Sequence, residues 1–196
     1  MDETKRPSLG VPAAEAGTPI PPIPENGVYV WDLFVRVFHW SLVSCIALNE
    51  FVLDAGGLAH RWAGYAACAL VLARIVWGFV GTSHARFNDF FPTPSRLLFH
   101  IQSLLRGQPP HYVGHNPIGA LVMLAMMGIV LCMAVTGWMQ GLDAFWGEEW
   151  LMEAHETLAH LLLLCVGLHA TAAIVMGRIE RTALITAMVT GVKRRY

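Results

Sequence analysis

Charge is what this sequence has least of. Asp, Glu, Lys and Arg make up 14% of its 196 residues, against roughly 25% in an ordinary soluble domain. Apolar residues reach 55%, so a water-soluble globular chain is excluded. A formal net charge of −1, with no Lys/Arg run before Lys193-Arg194-Arg195, excludes an overall basic surface for nucleic acid. Cysteine is sparse and scattered. Cys45, Cys68, Cys132 and Cys165 form no C-x-x-C pair, which removes a clustered thiolate centre for zinc or iron–sulfur, and no C-x-x-C-H, which removes covalent c-type haem attachment. Neither a phosphate-binding glycine loop nor a Rossmann fingerprint is present, so nicotinamide and flavin binding have no support. The first residues lack the apolar core of a secretory signal. Instead, residues 1–27 hold six prolines (Pro7, Pro12, Pro19, Pro21, Pro22, Pro24) and no apolar periodicity, which predicts a disordered tail.

Long hydrophobic runs are what the sequence does have. Four segments meet the criterion of roughly 20 predominantly apolar residues for a membrane span: 33–53, 60–80, 117–140 and 155–176. The first two are joined by a tight link containing Gly56-Gly57, which predicts antiparallel neighbours. Between the second and third lies a longer segment whose 94–105 stretch, PSRLLFHIQSLL, has apolar residues at helical spacing. It suits either the membrane interface or packing against the bundle end. A weakly apolar run at 183–189 is too short to span. The expected fold is all-α, a four-helix transmembrane bundle, with a tail at 1–27, the bundle at 28–180 and a C-terminal tail at 181–196.

Orientation follows from the basic residues of the loops. Connections 54–59 and 141–154 contain no Lys or Arg, whereas the other side gathers Lys5, Arg6, Arg86, Arg96, Arg106, Arg178, Arg181, Lys193, Arg194 and Arg195. Both termini are therefore expected in the cytoplasm. That topology gives each histidine a depth. His39 falls toward the inner end of the first span, and His60 opens the second at the outer face. His155 and His169 lie fourteen residues apart in HETLAHLLLLCVGLH, on one side of a helix and about 21 Å apart along its axis. Only two pairings match in depth, His39 with His169 inside and His60 with His155 outside. Haem iron accepts axial imidazoles, and facing bundle helices are a usual mount for it. Two non-covalent haems stacked across the bilayer are thus expected. His160, five residues after His155, faces elsewhere, and His84, His100, His111 and His115 read as ordinary polar residues met by backbone or water.

Two arginines bear on the inner site. Arg74 lies fourteen residues after His60, at the level of the inner pair. A charge at that depth costs at least about 2.5 to 3.5 kcal/mol and calls for an anionic partner, which a haem propionate would supply. Arg36, one turn before His39, either plays the same part or snorkels to the inner headgroups. Gly64, one turn after His60, leaves that face bare for a porphyrin edge.

The segments RVFHW (36–40), HRWAG (60–64), RIVWGFVG (74–81), YVGHNP (112–117) and HETLAHLLLLCVGLH (155–169) resemble the bacterial cytochrome b561 family, which is similar to the cytochrome b subunits of membrane-bound nickel–iron hydrogenases. The resemblance runs from Val28 to the C-terminus. It implies a four-helix, dihaem b-type cytochrome of the bacterial inner membrane that exchanges electrons with the quinone pool, its ligands falling on His39, His60, His155 and His169. It further implies a periplasmic cytochrome c or a redox enzyme subunit as partner, with superoxide as an alternative reactant, and it leaves homodimerisation and the status of a quinone-linked oxidoreductase open. For quinone protonation the candidates are His115 and His111 on the inner side and Glu50 and Glu156 on the outer. A different class of function, a histidine-lined metal-ion transporter, would call for inverted repeats or broken helices, and the spans read as continuous. An anchor whose haems are purely structural is the remaining rival.

Overall fold

The computed structural model describes residues 27–107, 110, 112 and 114–194. The tail expected at 1–27 lies outside them apart from Gly27, and so does His111. The chain is mostly helical. In order, it forms a short strand β1 (Val28–Tyr29), α1 (Leu33–Phe51), α2 (Leu58–Val80), a single 3-10 turn, α3 (Phe87–Phe90), α4 (Pro94–Leu105), α5 (Pro117–Met139), a second 3-10 turn, α6 (Glu149–Ile179), α7 (Leu184–Thr190) and β2 (Val192–Lys193).

Local chemistry sets these boundaries. Asp32 caps α1 by accepting from Val35 N at 2.8 Å. Asn116 caps α5 by accepting from Gly119 N at 2.7 Å, and Thr93 caps α4. Pro94 and Pro117 then occupy the first helical position, where a missing N–H costs nothing and φ is already helical. Gly57 N closes the turn between α1 and α2 on Asp54 O at 3.0 Å.

α1 packs on α2, α2 on α5, and α5 on α6. Phe38, Ala67, Val71, Met127, Val130 and Leu162 meet in the middle, contributed by all four helices. Outside this narrow seam the long helices are apolar as well: Leu72, Val76, Phe79, Val135, Leu164 and Leu168 are exposed. Apolar side chains on both faces suit helices surrounded by lipid rather than water. Among the described residues three helices, α2, α5 and α6, are long and apolar enough to cross a membrane. α1, of 19 residues, is interrupted by Arg36, His39, Asn49 and Glu50 and falls short of that standard.

The stretch 94–105 is helical as expected, and α4 rests on α5 with His100 inward at 2% exposure and Leu98, Phe99 and Leu105 outward. From residue 182 to 194 the chain folds back onto the start of α1. β2 pairs antiparallel with β1, Val28 opposite Lys193 and Tyr29 opposite Val192. The turn before β2 needs Gly191, whose φ is +84° and whose carbonyl accepts from Val30 N and Trp31 N. A side chain there would strike Trp31 O and the Tyr29 ring.

Candidate functional site

α6 decides the geometry. It runs unbroken for 31 residues and carries both His155 and His169, as the fourteen-residue spacing requires. At its N-terminal end, His155 faces His60 of α2, with ring centroids 6.3 Å apart. Two metal–nitrogen bonds of about 2 Å, plus half an imidazole on either side, span that distance, so one six-coordinate metal ion fits between the rings. His60 Nδ1 is buried with no partner among the described residues. His155 Nδ1 lies 2.8 Å from Thr136 Oγ1 of α5. Gly137, next in sequence, gives the ring its room: a Cβ there would come within 3.2 Å of His155 Cε1. Neither Thr136 nor Gly137 stands out in the sequence, because their partner lies on the next helix. Gly64 meets only the Asn49 side chain, at 3.9 Å.

At the other end, His39 and His169 are close enough to interact electrostatically. The Nδ1 of His39 is buried without a partner, and its ring meets Trp40 edge-on at 5.1 Å. Both histidines also act on His115, which therefore belongs to this end. His115 is half-buried. It packs between Trp31 and Phe90, with centroids at 4.8 and 5.3 Å, and its Nδ1 has no partner among the described residues. Burial, then the positive charge of Arg74 and of its other basic neighbours, pushes its pKa down to about 3. At neutral pH it is an uncharged imidazole. His115 also lines a cleft of about 380 Å³ with His84, Asp89, Phe90 and Tyr112. His100 is buried, with Nδ1 unpartnered among the described residues. Burial lowers its pKa, and Glu180 opposes that. The packing around these two rings is not legible in the sequence, because their neighbours come from other segments: His115 lies against Trp31 and Phe90, and His100 against Tyr112. His160, Glu50 and Glu156 are exposed.

Arg74 is 1% exposed. Its Nη2 donates to Ala85 O at 2.9 Å, its guanidinium lies over Phe87 and Phe90 at 5.4 and 6.0 Å, and its Nη1 has no partner among the described residues. The carboxylate electrostatically coupled to it is Asp32. Besides capping α1, that carboxylate accepts from Trp77 Nε1 at 3.0 Å and Thr82 Oγ1 at 2.7 Å. The anionic partner expected for Arg74 is thus at least partly supplied by the protein, and one guanidinium nitrogen is left over. Arg36 is held as well: its Nη1 donates to Val189 O of α7 at 2.7 Å, while Nε is buried without a partner.

The residues offer imidazoles in pairs rather than clusters; among the described residues no group of three or more His, Cys, Asp or Glu side chains converges. Paired imidazoles in an apolar bundle, with an unpartnered arginine nitrogen near one of them, fit a porphyrin iron with its propionates. They do not provide the closed ligand set that a bare metal ion requires.

Comparison with known proteins agrees. A curated protein of Azotobacter vinelandii named probable Ni/Fe-hydrogenase B-type cytochrome subunit is 25% identical over 213 aligned residues, covering 85% of this chain and 88% of that one. A protein of the same name from Bradyrhizobium diazoefficiens is 28% identical, covering 84% and 85%. The probable Ni/Fe-hydrogenase 1 B-type cytochrome subunit of Escherichia coli K12 is 26% identical over a shorter stretch, 56% of this chain and 58% of that one. No solved structure gives a significant match. The family model for prokaryotic cytochrome b561 covers residues 30–191, the whole helical region with both histidine pairs, and the chain belongs to that family.

Proposed function

We propose that the protein is a dihaem b-type cytochrome of the bacterial inner membrane, passing single electrons between the quinone pool and a redox partner at the outer face. The observation that carries this reading is the uninterrupted α6 with one histidine near each end, His155 facing His60 at 6.3 Å and His169 in electrostatic reach of His39. Four spans with both termini inside follow if α1 crosses with α2. Its polar residues are then not misfits but the parts of a site: His39 as a ligand, and Arg36 held against α7.

In this reading His60 and His155 hold the outer haem and His39 and His169 the inner. Haem b supplies a one-electron ferric/ferrous couple at each position. The protein's own residues do the rest. The apolar seam around Val71, Met127 and Leu162 keeps water from the centres. The free Nη1 of Arg74 and Nε of Arg36 suit propionate oxygens of the inner haem. Neutral His115 can donate one hydrogen bond and accept another at the inner end, where a quinone would need a polar contact. The partner best supported is a hydrogenase-like enzyme, since the curated relatives bear that name; a soluble cytochrome c is the second choice.

The test is a dithionite-reduced minus oxidised spectrum of the purified full chain, with a pyridine haemochrome count. Two haem b per chain are expected. One haem, or a preparation that binds only bare metal ions, overturns the dihaem reading.

A further inference from the structure

We infer that Thr136 is a positioning residue for the outer haem: its hydroxyl accepts from His155 Nδ1–H, fixes the imidazole in the tautomer that leaves Nε2 free for the metal, and sets the potential of that centre. The inference rests on the dihaem reading above.

The direction of the bond follows from proton accounting. A threonine hydroxyl has one proton and two lone pairs. Thr136 Oγ1 lies 3.0 Å from Cys132 O and 3.1 Å from Met133 O, the usual back-bonding of a hydroxyl onto its own helix. Its proton is committed there, since a carbonyl can only accept. What remains to meet the ring at 2.8 Å is a lone pair, so His155 Nδ1 carries the proton. Gly137 then fixes the ring's position, because a side chain there would crowd Cε1. Two consecutive residues of α5 thus seat a ligand presented by α6, one by hydrogen bonding and one by absence.

Among the described residues His39 Nδ1 at the inner end and His60 Nδ1 at the outer end are both buried with no acceptor, so His155 differs from these two in having its Nδ1 held. An acceptor on a ligating imidazole makes it more basic, and a more basic ligand favours the ferric state. Removing the acceptor must raise the outer potential.

The experiment is a redox titration of the purified full chain carrying Thr136→Val, which keeps the shape and removes the hydroxyl, beside Thr136→Ser, which keeps the hydroxyl. With Val, the expected result is two retained haems and one component shifted by about tenfold in its reduction equilibrium, about 59 mV upward, with a changed low-spin ferric signal. With Ser, both components stay at the parental values. Loss of the outer haem with Val but not with Ser supports the same conclusion. Equal behaviour of Val and Ser, or equal shifts of both components, overturns it. A parental chain that binds no haem overturns the dihaem reading and this inference together, whereas two haems with unmoved potentials overturn only the inference.

Discussion

Each of the four histidines offers a separable test, because each proposed iron has only two imidazoles. His60→Ala or His155→Ala is expected to remove the outer haem and spare the inner; His39→Ala or His169→Ala is expected to do the reverse. Haem counts on the four variants check this, and retention of both six-coordinate haems after His169→Ala would refute the pairing. Arg74 calls for a subtler substitution, since its Nη2 also holds Ala85 O. Arg74→Gln keeps a donor and removes the charge. A positive charge favours the more electron-rich ferrous state, and at roughly 10 Å with an effective dielectric constant of about 20 it is worth about 1.7 kcal/mol, or about 70 mV. The inner potential is therefore expected to fall by tens of millivolts, with the outer moving much less. Equal shifts at both haems would point to general disruption. Asp32 carries the clearest pH dependence. Burial works to raise its pKa, but the bonds from Val35, Thr82 and Trp77 outweigh burial, and the carboxyl sits below its ordinary value of 3.8. A group depressed in the folded state lends stability that is fully present above its unfolded pKa and is lost as pH falls through the folded one. Asp32→Ala is expected to cost about 1 to 2 kcal/mol as a lost cap, and more through the stranded Trp77 and Thr82. Thermal unfolding in detergent at pH 7 measures the loss, and the gap between parent and variant is expected to close only below about pH 4.

Among the elements, the C-terminal segment is where structure departs most from sequence expectation. Residues 181–196 read as a tail, yet α7 and β2 form a clasp over the start of α1. Arg36 and Trp40 donate to Val189 O and Met188 O, Ala183 N donates to Arg194 O, and β2 pairs with β1. The buried Lys193 reaches Tyr112 O at 2.7 Å and Glu180 at 3.7 Å. A chain ending at Arg181 is expected to lose or loosen the inner haem, because His39 lies one turn from Arg36, while the outer haem stays. Haem counts and the rate of proteolysis within α1 check this; an unchanged inner haem would reduce the clasp to decoration. The clasp was illegible in the sequence for a simple reason. Two-residue strands and a seven-residue helix carry almost no periodicity, and their partners in β1 and α1 lie 148 or more residues away. The long helices were legible because twenty apolar residues in a row have few alternatives. Their observed ends differ from the expected ones by a few residues, most at α6, whose first turn is the polar Glu149–Trp150 stretch.

For the molecule as a whole, the unequal ends suggest how it meets its surroundings. The connection between α5 and α6 exposes Asp143, Trp146 and Glu148, and the first turns of α6 expose Glu149, Trp150 and Glu153; Glu148 accepts from Trp150 Nε1 at 3.1 Å. This loop stands beside the His60–His155 pair. The tryptophans suit a membrane interface without any partner, whereas topology does not call for the carboxylates. If they steer a basic surface toward the outer haem, reversing charge with Glu148→Lys and Glu149→Lys slows inter-protein electron transfer several-fold at low salt and leaves haem content unchanged. Stopped-flow rates with a basic soluble cytochrome that depend on neither salt nor these residues would leave the loop as an interface cap.

By itself the sequence determined the apolar, membrane-like class and the long helices, and it singled out four histidines as the candidate ligands. Composition and helical spacing are local properties that no tertiary contact has to supply. Only the folded chain decided which atoms surround those histidines. It brought His60 to 6.3 Å from His155, placed Thr136 on the ring from a neighbouring helix, gave Arg74 the company of Asp32 and Ala85, buried His100, packed His115 between Trp31 and Phe90, and folded α7 and β2 over the start of α1. These are contacts between segments far apart in the chain, set by which helix packs on which, and no spacing rule along one segment encodes them.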